Sequence, residues 1–412
     1  MDRRDFIKLA TTFAGGSLVL PLASNAWAAI GTPADHGAKR LVVIFLRGAV
    51  DGLSVVVPHG DPAYYDSRRT IAIPKGQDGI VDLDGHFGLH PALAPIQPLW
   101  QDKSLAFIHA SGSPDPSRSH FDAQAMMETG TPGNPTVREG WLNRLLATLP
   151  GPHAPTQAVS LGPTTPRILA GPIPVANVDV GKNAGKPIPL DRPAVNQAFG
   201  ALYDGNDDMS LAYRQGQQTR KQLLTDMERE MQEADNGAPS ANGFPSQAKR
   251  LAGLIARDPA IRIAFVALGG WDTHVNQGNV KGQLANHLQP LAEGLVILTK
   301  GLGPAYQDTV VLVISEFGRT VHENGNGGTD HGHGNVMWVM GGGVNGGKVY
   351  GEWPGLASER LYQGRDLAIT TDFRTAIGTV VERHLGLSDP SLQRIFPEMP
   401  QPQAGIAKLL RA

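Results

Sequence analysis

The chain has 412 residues, a formal net charge of −2 at pH 7 and no cysteine. This near-neutral charge gives no electrostatic reason to expect binding to nucleic acid or to an anionic membrane surface. The absence of cysteine excludes disulfide bonds, thiolate zinc sites and a cysteine nucleophile, so a transition-metal site must use histidine and carboxylate ligands.

The N-terminus predicts an exported protein. Residues 2–8, DRRDFIK, are typical of a twin-arginine signal, and an apolar stretch follows at residues 9–22. This stretch is shorter than the about 20 residues that a membrane-spanning helix needs, and the small residues at 26–28 (AWA) predict cleavage. We therefore expect a signal peptide over residues 1–28, export to the periplasm or the extracellular space by the twin-arginine machinery, and no transmembrane segment in the mature chain. An ordinary secretory signal or an uncleaved anchor is the alternative interpretation.

Five continuous apolar runs predict buried β-strands. They lie at residues 41–46, 105–108, 261–268, 309–314 and 336–340. Runs without polar alternation are typical of strands buried on both faces, as in parallel sheets. Helical spacing of apolar residues lies between them, at 284–295 and 372–385. The alternation predicts an α/β fold with a doubly wound, mostly parallel sheet flanked by helices.

Residues 130–256 differ from this pattern and are predicted to form an inserted cap. Residues 130–200 are rich in proline, glycine and asparagine, and residues 207–256 are polar with helical spacing, interrupted at 236–245. Clusters of proline, glycine and asparagine are typical of irregular connections. We therefore expect a single α/β domain over residues 29–412, in which residues 130–200 form an irregular excursion over the sheet.

Ligand sites in open α/β sheets lie beyond the carboxyl ends of the strands, and polar residues follow the predicted strands there. Asp51 follows the first strand, either as a candidate ligand or as part of an Asp-Gly turn without a further role. Ser119 follows the second strand where a helix begins, a position suited to an anion or a transferred phosphoryl group. Ser119 and Asp122 also match a capping box, which explains the serine without chemistry. His120 is either a surface residue or a partner of the site.

The next two strands end in residues that suit a metal ion. Asp272 and His274 are two residues apart in a loop after the third strand, and both can turn toward one cation. Glu316 follows the fourth strand, where a buried carboxylate needs a partner such as a metal or the nearby Arg319. Arg319 could instead hold an anionic substrate.

The densest group of candidate ligands lies in the Gly/Asn-rich loop 324–335. It contains Asp330, His331 and His333, and His322 precedes it. Imidazole and carboxylate groups at this density suit zinc, manganese or iron, and a flexible polar loop without a ligand is the alternative. We therefore expect a divalent metal as cofactor, zinc in the first place, with manganese, iron or calcium as alternatives.

Six motifs together resemble the exported family known as DUF1501, over nearly all of the mature chain. They are FLRGAVDGL (45–53), RSHFDAQAMMETG (118–130), GGWDTH (269–274), SEFGRT (315–320), GTDHGHGN (328–335) and TTDFR (370–374). This family in turn resembles the alkaline phosphatase and sulfatase superfamily. The resemblance implies an alkaline-phosphatase-like sheet with metal ligands at strand ends and a serine, threonine or modified-residue nucleophile at a helix start.

The resemblance also implies roles for individual residues. They are the first-strand aspartate (Asp51), the nucleophile (Ser119), the Asp and His of one metal (Asp272 and His274), the carboxylate of a second metal (Glu316) and the late histidine (His331 or His333). Two departures stand out. Phe317 follows Glu316 where the phosphatases have a histidine, and Pro114 stands where a sulfatase signature requires cysteine or serine, so a formylglycine sulfatase is not expected.

The leading hypothesis is an exported metal-dependent hydrolase of phosphate or sulfate esters, acting on a small-molecule or polymer-borne substrate. Ser119, Arg319 and His120 are its candidate catalytic residues, with Arg319 or Arg118 binding the anion. A catalytically degenerate, phosphatase-like binding protein is the alternative, because no histidine follows Glu316. A third hypothesis is a metal-independent serine hydrolase using Ser119, although the chain has no G-x-S-x-G nucleophile elbow.

Overall fold

The computed structural model describes residues 18–19, 38–162, 164–178, 197 and 243–411. Apart from residues 18–19, the predicted signal peptide therefore lies outside the described residues, as does most of the predicted polar segment 207–256. Within the described ranges, no helix is both long and apolar enough to cross a membrane.

Short strands and helices alternate along the described chain. The strands are β1 (Leu18–Val19), β2 (Arg40–Leu46), β3 (Val56–Val57), β4 (Val81–Asp82), β5 (Gly88–Leu89), β6 (Leu105–Gly112), β7 (Ala158–Leu161), β8 (Ala176–Val178), β9 (Ile263–Leu268), β10 (Thr309–Ile314), β11 (Asn335–Gly341), β12 (Lys348–Tyr350) and β13 (Thr371–Asp372). The α-helices are α1 (Gly52–Val55), α2 (Pro62–Ser67), α3 (Gln97–Gln101), α4 (His120–Thr129), α5 (Trp141–Thr148), α6 (Phe244–Arg257), α7 (Gln283–Leu302), α8 (Phe373–Leu385) and α9 (Asp389–Ile395).

One mixed, mostly parallel sheet organises the fold. Its strands follow the order β1-β8-β7-β9-β2-β10-β11-β6-β12, with β13 beside β6. Neighbouring strands are parallel except at β11, which is antiparallel to both β10 and β6. A small antiparallel sheet, β3-β5-β4, lies apart from it. The predicted fold class, a mostly parallel sheet flanked by helices, is confirmed.

Helices cover both faces of the sheet, and this explains the continuous apolar runs. In β2, Val42 and Ile44 belong to one core layer, whereas Val43 and Phe45 belong to the other, and all four side chains are fully buried. The first layer includes residues of α6 and α7, and the second includes residues of α5, α8 and α9. Each such side chain contributes about 1.5–3 kcal/mol by leaving water.

The five predicted strands are β2, β6, β9, β10 and β11, and the two predicted helices are α7 and α8. The antiparallel direction of β11 follows from its connection. Residues 315–334 link β10 to β11 without a helix, and a parallel return would need a crossover of a dozen or more residues, usually helical. As a result, loop 315–334 lies at the edge of the sheet where β10 ends.

Part of the predicted cap belongs to the sheet instead. β7 and β8 lie within residues 130–200, and both are parallel neighbours in the main sheet. The expectation of an irregular excursion is therefore wrong for these strands. They are only four and three residues long, which is too short for an apolar run to stand out among the surrounding prolines and glycines.

His109 on β6 is a buried histidine that the fold holds in its neutral form. Its Nδ1 accepts a hydrogen bond from the Ala110 amide, and its Nε2 lies 2.9 Å from the Val56 carbonyl oxygen. Because the amide can only donate and the carbonyl can only accept, Nδ1 has no proton and Nε2 has one. Burial lowers the pKa of His109 to about 4.

We predict that acid destabilises the protein through His109. Its pKa is about 4 when folded and about 6.5 when unfolded. The unfolded state therefore binds more protons as the pH falls through this window, and the free energy of unfolding should fall by up to about 3 kcal/mol. His109→Gln, which keeps a donor for Val56, should flatten the dependence, measured by urea unfolding at about pH 7.5 and about pH 5. The pKa of His384 is also lowered to about 4. It therefore contributes the same pH dependence of stability to both proteins. Equal pH dependence in both proteins would contradict the assignment.

Candidate metal centre

Loops from several strands converge at one edge of the main sheet. β9, β2 and β10 are parallel neighbours, so the residues that follow them emerge at the same edge. Because β11 is antiparallel, it begins there, and β6, antiparallel to β11, ends there. This topology brings together His120 and His331, which are 211 residues apart in the chain.

Four side chains meet at this edge, and we refer to His120, Asp272, His274 and His331 as the histidine cluster. The Nε2 atom of His331 lies 3.0 Å from Nε2 of His120 and 3.0 Å from Nε2 of His274. Asp272 Oδ1 completes the group, at 3.0 to 3.6 Å from the same three nitrogen atoms.

Each histidine of the cluster has an acceptor at its other ring nitrogen. The Nδ1 pairs are His120 with the Glu316 carboxylate (2.8 Å), His274 with the Asp330 carboxylate (3.0 Å) and His331 with the Arg118 carbonyl oxygen (2.8 Å). Ionised carboxylates and carbonyls accept but do not donate, so each Nδ1 has a proton, and each Nε2 of a neutral ring has a lone pair. Metal-bound histidines usually have this second hydrogen bond, which fixes the tautomer and makes the ligand more basic.

This set of donors fits a divalent metal ion. Three imidazole nitrogens and a carboxylate oxygen suit zinc, and also manganese or iron. In a tetrahedral zinc site with bonds of ~2.0–2.1 Å, neighbouring ligand atoms lie roughly 3.3 Å apart. The five separations that involve His331 Nε2 or Asp272 Oδ1 are 3.0 to 3.6 Å and bracket that value. Among the described residues, His120, Asp272 and His331 form the compact group of donors that could hold a metal ion. Lone pairs that face one another at this distance repel, and a shared cation removes the repulsion.

The carboxylates at the centre are held in their charged form. Burial alone would raise the pKa of Glu316, but hydrogen bonds from His120 and Gln124 outweigh it and lower the pKa. Burial also opposes the charge of Asp272, yet the Arg319 guanidinium beside it lowers the pKa of that carboxyl. The hydrogen bond to Glu316 raises the pKa of His120, so a proton and a metal compete for its Nε2.

Arg319 connects the loops around the histidine cluster. Its Nη2 donates to Asp272 Oδ1 at 2.5 Å, and its other donors reach the carbonyl oxygens of Gly48, Ala49 and Thr329. The side chain is buried. Arg319 was predicted to clamp an anionic substrate, but its guanidinium is directed into these loops, where it positions Asp272.

Gln277 links the two loops that supply most of the cluster. Its Oε1 accepts hydrogen bonds from the hydroxyls of Thr273 and Thr329, at 2.8 and 2.9 Å. Its Nε2 donates to Asp51 Oδ2 at 2.7 Å. The side chain is fully buried, so these bonds form without competition from water and fix loop 269–277 against loop 328–333.

Two predicted metal ligands, Asp51 and His333, neither join the histidine cluster nor hydrogen-bond to its rings. Asp51 forms a fully buried ion pair with Arg68, in which Nη2 donates to Oδ1 at 2.9 Å and Nη1 to Oδ2 at 2.5 Å. A carboxylate at this depth needs charge compensation, and Arg68 supplies it in place of a metal. His333 stacks on Tyr362, with ring centroids 4.2 Å apart. Asp51 and His333 thus have other partners in this structure, and their role as metal ligands stays a prediction.

Other predicted residues lie at the site in different positions from those expected. Glu316 and Asp330, predicted as ligands, accept hydrogen bonds from the histidine rings. His120, predicted as a catalytic residue, points its Nε2 into the cluster. Ser119 is the N-cap of α4, and its hydroxyl accepts a hydrogen bond from the Asp122 amide at 3.4 Å.

Three contributors to the centre were not found from the sequence. The Arg118 carbonyl oxygen, which orients His331, is a backbone atom without a side-chain signal. Gln124 donates to Glu316 at 2.9 Å, and its position four residues after His120 on a helix could have revealed it. No sequence pattern distinguishes Gln277 from other polar loop residues.

Fold and site together define an α/β protein whose mostly parallel sheet has a histidine and aspartate cluster beyond its strand ends. The chain belongs to the family described as "Protein of unknown function (DUF1501)", whose model matches residues 38–396. The predicted family is thereby confirmed. No curated protein matches the chain.

Several solved structures resemble the fold. One is the PsFucS1 sulfatase from Pseudoalteromonas sp., at 14% identity over 92% of this chain and 73% of that chain, with a TM-score of 0.41. Another is the C-terminal periplasmic domain of EcEptC from Escherichia coli in complex with Zn, at 10% identity over 78% of this chain and 76% of that chain, with a TM-score of 0.32. A third is Ps i-CgsB in complex with k-i-k-neocarrahexaose, at 10% identity over 86% and 74%, with a TM-score of 0.32. At these identities the likeness concerns the fold alone.

We predict that the protein binds close to one zinc ion per chain through the histidine cluster. His331→Ala and Asp272→Asn should lose stoichiometric zinc after dialysis, because the first removes an imidazole ligand and the second replaces an anionic carboxylate by a weaker, neutral amide ligand. Asp330→Ala should weaken affinity by about 10–100-fold, since it removes only the acceptor that orients His274. Elemental analysis and zinc titration calorimetry measure both effects. His322→Ala is the matched control, because this exposed histidine lies in the same loop without entering the cluster. If the parent protein retains no metal when it is saturated with zinc and then dialysed, the predicted site is refuted.

We predict that Gln277 sets the metal affinity. Gln277→Met keeps the volume but removes the hydrogen bonds to both threonines, and should lower stability by about 1–3 kcal/mol and zinc affinity by roughly 10–100-fold. Thr329→Val should weaken zinc binding in the same direction, whereas Thr329→Ser, which keeps the hydroxyl, should not. Urea unfolding and calorimetry report the two quantities separately. Lower stability with unchanged zinc affinity would show that Gln277 has no part in positioning the ligands.

Proposed function

We propose that the protein is a metal-dependent hydrolase of phosphate or sulfate esters. The supporting observation is the convergence of three histidine Nε2 atoms and Asp272 Oδ1, with every ring held by a second hydrogen bond. The side chains of His274 and Asp272 are 39% and 45% exposed, so the cluster is open to a substrate, as a catalytic metal site must be. A bound divalent metal would attract the anionic ester group and lower the pKa of an attacking hydroxyl or water.

Ser119 is the nucleophile in this proposal. It is exposed, it precedes His120, and it caps the ten-residue helix α4, whose N-terminal amides favour an anion. Its Oγ would form the new bond to phosphorus or sulfur while the alcohol leaves with the serine proton, and water would then release the anion. His120 is not a base for it, because both of its ring nitrogens face Glu316 and His331.

A metal-binding protein without turnover is the second candidate function. Phe317 stands where the phosphatases have a histidine, and its ring packs on those of His120 and His331, with centroids 4.9 and 5.2 Å apart. Glu316, the expected carboxylate of a second metal, is engaged by the Gly48 amide and by neighbouring side chains. Across the described residues, the one group compact enough to hold a metal is His120, Asp272 and His331, which favours a site simpler than that of a two-metal phosphatase.

We further propose that the protein acts outside the cytoplasm, in the periplasm or beyond it, after export by the twin-arginine machinery. The proposal rests on the DRRDFIK segment at residues 2–8 and the apolar stretch that follows. Its substrate would then be an ester present outside the cell, either a small molecule or part of a polymer.

We predict that Ser119 is required for turnover but not for metal binding. Ser119→Asn keeps a good N-cap and removes the hydroxyl, so zinc content and stability should remain while kcat on 4-nitrophenyl phosphate or sulfate falls by at least about 10³-fold. Ser119→Thr, which keeps hydroxyl and cap, should retain part of the activity, and chelation should abolish it. Full activity in Ser119→Asn would exclude the serine nucleophile. Stoichiometric zinc without turnover across a broad ester panel would favour the binding protein.

A further inference from the structure

Two large hydrophobic side chains are exposed among the described residues, and each directly follows a histidine of the histidine cluster in the sequence. The large hydrophobic side chains exposed there are Phe121, at 90%, and Val275, at 46%. Phe121 directly follows His120, and Val275 directly follows His274. A phenyl ring left almost wholly in water loses the about 1.5–3 kcal/mol that burial would contribute. Because Phe121 also lines a cleft, its ring is placed to contact a molecule bound there.

A cleft of about 490 Å³ begins at the same helix. Its wall is the stripe of α4 that contains Phe121, Ala125 and Glu128, at helical spacing. Gln124 also lines it, and the same side chain donates to Glu316, which holds His120. The cleft and the histidine cluster are thus separated by one turn of one helix. The volume lies within the about 300–1,000 Å³ typical of small-molecule sites.

Three guanidinium groups give the cleft its chemistry. Arg47 is paired with the Glu128 carboxylate, which also accepts a hydrogen bond from the Ile168 amide at 3.1 Å. Arg138 and Arg167 also line the cleft, and Arg138 is exposed. Arg47 is neutralised by Glu128, and Asp122 is the other carboxylate of the lining, so the cleft keeps an excess of one positive charge. Arg138 and Arg167 can bind a carboxylate, sulfate or phosphate group, for which the planar guanidinium is well suited.

We propose that Phe121, Arg138 and Arg167 form a binding subsite for the non-reacting part of the substrate. That part is a ring that stacks on Phe121 and bears a negative group of its own, in addition to the ester at the histidine cluster. The ring is either a sugar, which stacks through its C–H face, or an aromatic ring. The inference deepens the proposed hydrolase function, but binding to the subsite needs neither metal nor turnover.

Binding of ring-bearing polyanions tests the subsite directly. Sucrose octasulfate and naphthalene-1,3,6-trisulfonate serve as sugar and aryl probes in titration calorimetry at low ionic strength, with sucrose and inorganic sulfate as controls. We expect at least one ring-bearing probe to bind and both controls to fail. Phe121→Ala and the double variant Arg138→Ala/Arg167→Ala should each weaken binding at least tenfold. Arg250→Ala, an exposed cation on α6, should not. The tighter of the two probes identifies the kind of ring.

Asp272→Asn separates this inference from the proposed activity. It should bind the probe like the parent, because the subsite does not include the histidine cluster, even if no ester is ever hydrolysed. Equal probe affinity in the parent and the double arginine variant would overturn the subsite. So would sedimentation showing that Phe121→Ala dissociates an oligomer, since Phe121 would then contact a second copy of the chain.

Discussion

The centre depends on one buried ion pair, between Asp51 at the end of β2 and Arg68 after α2. Removing two charges from water costs several kcal/mol for each ion, and burial alone would raise the pKa of Asp51. The Arg68 charge outweighs this and lowers that pKa. Arg68 also donates to the carbonyl oxygens of Thr320 and Val321, both at 2.9 Å, and Asp51 accepts from Gln277. The pair therefore joins three loops, and a polar core at this depth tolerates few other arrangements.

This constraint explains why the centre has one group of ligands. Since Asp51 is committed to Arg68, it cannot turn toward a cation without leaving a guanidinium buried and unpaired. Glu316 is committed in the same way to His120 and Gln124. Phe317 then fills the adjacent space with a ring that packs on two histidines. Glu316 and Asp330 thus orient imidazole rings, and the imidazoles provide most of the lone pairs that a metal ion could bind.

The sequence was sufficient to predict the main sheet, because apolar runs such as 41–46 indicate strands buried on both faces. It also predicted the edge at which the site lies, because the candidate residues follow the ends of those strands. It was not sufficient for β7 and β8, whose seven residues together form no recognisable pattern. Nor could it separate His331, which joins the cluster, from His333, which stacks on Tyr362. Both lie in one glycine-rich loop, and the direction of each ring is decided by contacts with distant residues. Likewise, nothing local to Asp51 reveals that its partner is Arg68.

Helix α4 has a double role that follows from its periodicity. His120 and Gln124, four residues apart, contact Glu316, whereas Phe121 and Ala125, also four apart, line the cleft, which Gln124 reaches as well. A rotation of the helix that improved one face would displace the other, so the geometry of the histidine cluster and the shape of the cleft are mechanically coupled. Phe121 and Ala125 make none of the hydrogen bonds that hold the histidine cluster, so these two positions can vary in size while the helix axis stays fixed. The buried contacts of Gln124 with Glu316, and of Glu128 with Arg47 and the Ile168 amide, supply that fixation. In the proposed hydrolase, changes at Phe121 and Ala125 would therefore alter the choice of substrate while the histidine cluster keeps its geometry.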